Sequence, residues 1–299
     1  MYALALHHVF KHFANVVAVE DLSLQIESGW MFGLLGPNGA GKTTTLRMIL
    51  NIIQPDRGQI LLWGQTGGSS ARQVGYLPEE RGLYRKMKVL DVLIFLGAIK
   101  GMRSREARDQ ALRWLERMDL TTWATRKVEE LSKGMQQQVQ FIAAVLHRPE
   151  LLILDEPFTG LDPVNTNRLK DIILELNGHG TTVILSTHQM DQVEKLCHHI
   201  CLIDRGKKIL DGRLSDIKGQ YGRNTVRMQF DGPKTFLENN RLVQRMDLYG
   251  QYVELQLIPS ADPQELLRTA LGSTRLMRFE IVEPSLNDIF IEKVRKDHG

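Results

Sequence analysis

Short apolar runs that end in polar tips punctuate the first two thirds of the chain. Met31–Leu35 and Leu151–Leu154 are continuous apolar stretches, and Thr181–Ser186 repeats the pattern. Runs of that length fit parallel strands buried on both faces. Ahead of them, Ala3–Val9 and Ala18–Ile26 alternate apolar and polar residues and predict a strand pair. Gln59–Trp63 and Gln73–Leu77 read as short strands, set between turn signals at Pro55–Gly58 and Gly64–Ser70. From about Gly82 to Leu131 the character becomes helical, with Ala107, Ala111, Leu115 and Met118 on one buried face. Ser132 is placed to cap a further helix that runs to about His147. A turn at Gly160–Pro163 leads to a helix over Val164–Leu176. Ile200–Ile203 and a hairpin at Gly206–Gly212 close the first region, which ends near Gly219–Gly222. Beyond it the pattern predicts strands at Thr225–Phe230, Tyr252–Leu257 and Leu276–Val282, with helices at Pro263–Leu271 and Ser285–Val294. The expected architecture is α/β: a domain over 1–219 with a helical lobe at about 82–147, then a small α+β domain over 220–299.

Composition narrows the class without naming a function. A chain of 299 residues with 42% hydrophobic and 24% charged residues has an ordinary globular profile. Two cysteines set up no disulfide framework. The net charge of +3 is too small to point to nucleic acid, and no nucleic-acid partner is expected. No signal peptide and no apolar run of spanning length is visible, so work at a membrane would need another chain to cross it. The block from Arg81 to Lys127 holds many more basic than acidic residues, which suits either anionic headgroups or an ordinary solvated helix surface.

The chemistry concentrates at strand ends. After Met31–Leu35 comes Gly36-Pro37-Asn38-Gly39-Ala40-Gly41-Lys42-Thr43, followed by a helix that opens at Thr44. Glycines let successive backbone N–H groups turn towards an anion, Lys42 adds a point charge for phosphates, and the Thr43 hydroxyl suits Mg²⁺. The helix N-terminus faces the same anion. Strand, Gly-rich loop and helix in that order predict nucleoside triphosphate binding. Asp155 and Glu156 end the second apolar run, where ligands bind in open α/β sheets. Asp155 can hold Mg²⁺ through its water shell and Glu156 can polarise an attacking water. His188 ends the third run and could reach a γ-phosphate. Phe13 could stack on an adenine or be a half-buried hairpin aromatic. Cys197-His198-His199-x-Cys201 invites a metal reading, but no further ligand cluster completes it and a structural role is preferred.

Taken together these residues resemble the ATP-binding subunits of ABC transporters, over about residues 1–215. Phe13 matches the adenine-stacking aromatic, Gly36–Thr43 the Walker A loop, and Leu131–Met135 the signature sequence. Asp155 and Glu156 match Walker B with its general base, Leu161-Asp162 the D-loop, and His188 the switch histidine. Leu77–Tyr84, Glu283–Asp288 and the accessory domain resemble bacterial drug- and sodium-efflux members. The resemblance implies the P-loop NTPase cassette fold: a parallel core sheet, an antiparallel N-terminal β lobe and a helical signature lobe. It implies ATP and Mg²⁺ as ligands. Asn38, Gly39, Ala40, Gly41, Lys42, Thr43 and Thr44 would cradle the phosphates, while Thr43, Asp155 and Glu79 would ligate the metal. Ser132, Gly134, Met135 and Asp162 would close over the nucleotide of a second copy or of a similar ATPase subunit. Glu156, His188 and Lys42 would carry the hydrolysis. A separately encoded permease would hold the chain at the cytoplasmic face of the membrane.

Two departures stand out. Glu79 occupies the place of the usual Gln, bringing an extra negative charge. The signature reads Leu-Ser-Lys-Gly-Met, so Lys133 adds a positive charge while the usual Gln contact is lost at Met135. The competing readings are a soluble ABC-type ATPase and a nucleotide-dependent switch without transport.

Overall fold

The computed structural model describes all residues except Asn15, 67–72, Arg81, 221–224, 238–239, Pro259, Pro284 and Gly299; for 294–298 it describes the backbone alone. The second half of the Gly64–Ser70 turn, Arg81, Tyr221-Gly222 at the first region's end and Pro284 lie outside the described residues. The chain divides into two compact units, Met1–Gly212 and Arg213–Gly299.

The first unit opens with the long hairpin β1 (Tyr2–Phe13) and β2 (Val16–Glu27), then β3 (Met31–Leu35) and α1 (Lys42–Ile49). Next come β4 (Arg57–Leu62), β5 (Gln65–Thr66) and β6 (Val74–Leu77), followed by α2 (Val89–Ile99), α3 (Ser104–Arg117) and α4 (Lys133–Val145). β7 (Leu151–Asp155), α5 (Pro163–Gly178), β8 (Thr182–Thr187), α6 (Met190–Leu196), β9 (His199–Asp204) and β10 (Lys207–Arg213) complete the run. β1, β2, β4 and β5 form an antiparallel sheet in the order β2-β1-β4-β5. The second sheet runs β10-β9-β3-β8-β7-β6, with β9, β3, β8, β7 and β6 mutually parallel. Every residue of β3, β7 and β8 is buried, the two-sided burial that the apolar runs call for. Strand order reverses between β3 and its neighbours, so the carboxyl ends of β3, β7 and β8 open onto one crevice.

The helical lobe is less helical than its pattern suggests. α3 stops at Arg117, and residues 118–132 contain only two single 3₁₀ turns, Thr121–Trp123 and Val128–Glu130. Asp119 takes a positive φ of 55°, which ends the helix despite the apolar spacing around it.

His147 reports on the seam below this lobe. Its Nε2 lies 3.2 Å from the Val74 carbonyl, which also accepts from Lys100 Nζ at 2.8 Å. Burial first, then the Lys100 ammonium, pushes the imidazole from 6.5 down to about 4. The folded state thus keeps His147 neutral while the unfolded chain protonates it below 6.5. That stability is present above pH 6.5 and is lost as pH falls towards 4, amounting to about 1–2 kcal/mol once partial exposure is discounted. We expect the thermal midpoint to drop between pH 7 and 5, and His147→Gln to flatten that part of the profile. An equal slope in both proteins would refute the assignment.

The second unit holds α7 (Leu214–Gln220), β11 (Thr225–Asp231), β12 (Val243–Leu248), β13 (Val253–Leu257), α8 (Pro263–Ser273), β14 (Arg275–Val282) and α9 (Leu286–His298). Its strands pair antiparallel in the order β12-β13-β11-β14. Val226, Met228, Val253, Leu255 and Leu257 form one buried face that packs with Leu266 and Ala270 of α8. The alternation along β11 and β13 makes this core legible. β12 has no such signal: Val-Gln-Arg-Met-Asp-Leu is an edge strand without a buried residue.

Candidate active site

β3 delivers the chain into the loop at Gly36, and α1 starts at Lys42 behind a left-handed Gly41 with φ 103°. A Cβ on Gly36 would sit 2.1 Å from the Ile203 carbonyl oxygen, and one on Gly41 2.2 Å from that of Ala18. Neighbouring backbone therefore fixes the loop from both sides. Gly36→Ala and Gly41→Ala must displace that backbone, and we expect each to cost several kcal/mol and to melt well below the parent in calorimetry. Asn38 and Gly39 form the exposed rim, Ala40 is buried, and Thr43 and Thr44 are half-buried.

Lys42 curls back over this loop, its Nζ donating to the carbonyls of Gly36 (2.7 Å) and Pro37 (3.0 Å). It is only 6% exposed. Burial pushes its pKa down, opposed by the charges of Glu156, Asp155 and Glu79.

β7 ends at Asp155, and its two oxygens are taken by hydroxyls from two different elements. Thr43 Oγ1 donates to Oδ2 at 3.0 Å, and Ser186 Oγ of β8 to Oδ1 at 2.7 Å. Burial pushes the Asp155 carboxyl up, while those two hydrogen bonds and Lys42 hold it down. Glu156 follows with φ 48°, its N–H bonded to the Ser186 carbonyl at 2.9 Å. That left-handed turn aims the side chain away from the sheet and along the end of β8. There Oε2 accepts from Thr187 Oγ1 (2.8 Å), and Oε1 accepts from the His188 backbone N–H (2.9 Å) and faces His188 Nδ1 (2.7 Å). Glu156 is buried and the His188 ring half-exposed, so the pair links a buried carboxylate to solvent.

Lys42, Thr43, Asp155, Glu156 and His188 thus meet in one place. Ser186 and Thr187 belong there too, although sequence reading does not single them out; a Ser-Thr pair just before His188 is their only signal. Glu79 stands exposed after β6. It raises the proton affinity of Lys42 but makes no hydrogen bond to Thr43 or Asp155. Gln140 of α4 bonds the Glu80 carbonyl at 3.0 Å, which ties that loop to the helical lobe.

The other candidates lie elsewhere. Phe13 is 47% exposed at the tip of the β1–β2 hairpin, with Lys11 Nζ 5.3 Å from its ring centroid. Ser132 caps α4 by accepting from Met135 N–H at 3.2 Å, and Gly134 faces the Gly160 carbonyl. Asp162 caps α5 through Val164 and Asn165 N–H, both at 3.0 Å, and these bonds hold its carboxyl low. Ser132, Gly134, Gly160 and Asp162 form a second patch with no hydrogen bond to the Lys42 loop. Cys197 and Cys201 are buried thiols pushed up by desolvation, and His199 stacks on Trp30 at 3.5 Å. Among the described residues no three His, Cys, Asp or Glu converge in a metal-binding group.

Residues 19–159 match the family described as ABC transporter. Residues 212–294 match the C-terminal domain of DrrA1-3-like ATP-binding proteins. Over 292 residues the chain is 46% identical to the ABC transporter ATP-binding protein YhaQ of Bacillus subtilis, covering 97% of this chain and 98% of the relative. The chain belongs to the ABC transporter ATP-binding proteins. As an ABC ATPase it binds and hydrolyses ATP. It is also similar to export-type members. The linearmycin resistance ATP-binding protein LnrL of Bacillus subtilis is 33% identical, over 95% of this chain and 96% of that protein. The Nod factor export ATP-binding protein I of Cupriavidus metallidurans is 32% identical, over 97% and 96%. A solved ATP-binding subunit of an ABC transporter superposes with a TM-score of 0.69 at 30% identity, covering 74% of this chain and 93% of that one. A dimeric ATP-binding cassette bound to ADP and Pi shares the fold, with a TM-score of 0.66 at 23% identity over 71% and 98%.

Proposed function

We propose that this ABC ATPase powers an exporter: it closes as an ATP-bound pair, with itself or with a similar subunit, on a separately encoded permease at the cytoplasmic face of the membrane. The observation that carries this reading is the split between the two patches. Lys42, Thr43, Asp155, Glu156 and His188 converge, whereas Ser132 and Gly134 make no hydrogen bond to that group, which supports their meeting a triphosphate on a second subunit.

The residues present fit Mg²⁺ and ATP: Gly36 and Gly41 turn the loop where the Ile203 and Ala18 carbonyls leave no room for a Cβ, and Thr43 and Asp155 bring two oxygens within 3.0 Å of each other. Thr43 and Asp155 would hold Mg²⁺, which when bound neutralises phosphate charge, with Glu79 as a further carboxylate beside it. The exposed Asn38–Gly39 rim, Ala40, Gly41 and Thr44 would line the phosphates and Phe13 the base. Lys42 would leave its carbonyl partners for the β- and γ-phosphates. Glu156, fixed by three donors, orients the attacking water and accepts its proton, while His188 and Lys42 stabilise charge that develops on the γ-phosphate. Ser132, Gly134, Met135 and Asp162 complete the partner's site, where Lys133 adds positive charge. The resemblance to efflux members and the similarity to export-named relatives support the direction of transport.

No described helix is long and apolar enough to cross a membrane, so the permease is the first thing to look for. Affinity purification of the chain from its own membranes in mild detergent should recover a polytopic membrane protein in stoichiometric amount. Recovery from the soluble fraction alone, or with ribosomes or DNA, would overturn the transport reading.

A further inference from the structure

Away from these patches, a cleft of about 740 Å³ opens between α3, the amino-terminal end of β7 and the carboxyl-terminal end of α5. That volume is within the roughly 300–1,000 Å³ typical of small-molecule sites. Its apolar surface comes from Trp114, Val145, Pro149 and Leu152, of which the last three are buried. The Trp114 ring is fixed edge-on against Phe141 at 6.3 Å, and the Arg117 guanidinium lies over it at 5.1 Å from the centroid, which leaves the opposite face for a ligand.

The mouth carries an unusual arrangement of charge. In the amide orientation that hydrogen bonding requires, the Gln110 carbonyl accepts from Arg148 Nη2 at 3.0 Å and from Arg113 Nη2 at 2.9 Å. Two guanidinium groups, one from α3 and one from the α4–β7 turn, are drawn onto one neutral oxygen. Among the described residues neither has a carboxylate within ion-pair distance, whereas Arg117 nearby is matched by Glu175. Arg148 is presented from a backbone φ of 54°. Like charges gathered on a neutral acceptor repel one another, and a bound anion would relieve that repulsion with bidentate hydrogen bonds.

We propose that this cleft is a binding site for a small organic anion, with its carboxylate, sulfonate or phosphate between Arg113 and Arg148 and its apolar body on Trp114, Val145 and Leu152. The site joins α3 of the helical lobe to the start of the strand that ends in Asp155, so occupancy braces the lobe against the strand bearing the acidic pair. The proposal does not depend on which residues handle ATP.

The test is titration of the full chain, saturated with ADP to block the Lys42 loop, with anilinonaphthalene sulfonate as an anionic aromatic probe. Fluorescence should report one site per chain. Arg113→Gln with Arg148→Gln should weaken it at least about tenfold. Gln110→Glu supplies an internal carboxylate to both arginines and should do the same, while leaving phosphate release at the parent rate. Arg113→Lys with Arg148→Lys keeps the charge and should retain affinity within about tenfold of the parent, above both of those variants. Unchanged affinity in the Gln pair and in Gln110→Glu, or the absence of one-to-one binding, would overturn the site. Displacement of the probe by equimolar inorganic phosphate would overturn the apolar part of the ligand assignment.

Discussion

Glu156→Gln will bind ATP, form a long-lived dimer and release phosphate at least about a hundredfold more slowly than the parent. The substitution is isosteric, and the local hydrogen bonds survive it. The retained amide oxygen still accepts from His188, and the new NH₂ can donate to Thr187 Oγ1, which rotates to accept and already accepts from Gln189 N–H at 3.1 Å. The buried turn at φ 48° is untouched. What disappears is the basic lone pair and the negative charge that would hold a nascent proton. Loss of turnover with an unshifted melting temperature therefore isolates chemistry from folding. Single-turnover phosphate release together with size-exclusion chromatography in ATP reads both halves of the expectation. Undiminished phosphate release would sink the role assigned to Glu156.

The parts of this architecture that were readable in sequence are those where one physical demand acts alone. β3, β7 and β8 are buried on both faces, so they must be apolar throughout. The loop from Gly36 to Thr43 must contain glycine because the Ile203 and Ala18 carbonyls leave no room for a Cβ at two of its positions. Where demands compete the signal fades. Ser186 and Thr187 are ordinary strand residues until β8 lies beside β7 and their hydroxyls reach Asp155 and Glu156. β12 is an edge strand without a buried residue, so its composition records neither helix nor strand. The apolar spacing that continues to Met118 reflects a buried residue just beyond a helix end, where Asp119 reverses the backbone. The structural role preferred for the Cys-His cluster has a physical counterpart: the His199 imidazole packs against the Trp30 ring and both thiols are buried.

The largest loss of binding should come from Lys42→Ala, with nucleotide affinity falling at least about tenfold and phosphate release about a thousandfold. Lys42 is the cation set against two adjacent buried carboxylates, and the balance between desolvation and those charges decides its state. Removing it takes the ammonium donor from the Gly36 and Pro37 carbonyls, of which Pro37 still accepts from the Ala40 N–H at 3.2 Å. It also removes one of the influences that keep the Asp155 carboxyl from rising further. Losing hydrogen bonds from a charged donor costs about 1–3 kcal/mol, and the water-exposed loop rim keeps the cost in that range. Lys42→Arg will not rescue the variant. The planar guanidinium needs a wider fork than a site only 6% exposed provides, and it cannot act as the same compact point charge. Binding of a fluorescent ATP analogue, phosphate release and a melting curve separate these effects: affinity and turnover should collapse while the protein stays folded at room temperature. Retention of parent-like ATP affinity by Lys42→Ala would mean that backbone N–H groups and the α1 terminus hold the triphosphate unaided, and the role given to Lys42 would have to be withdrawn.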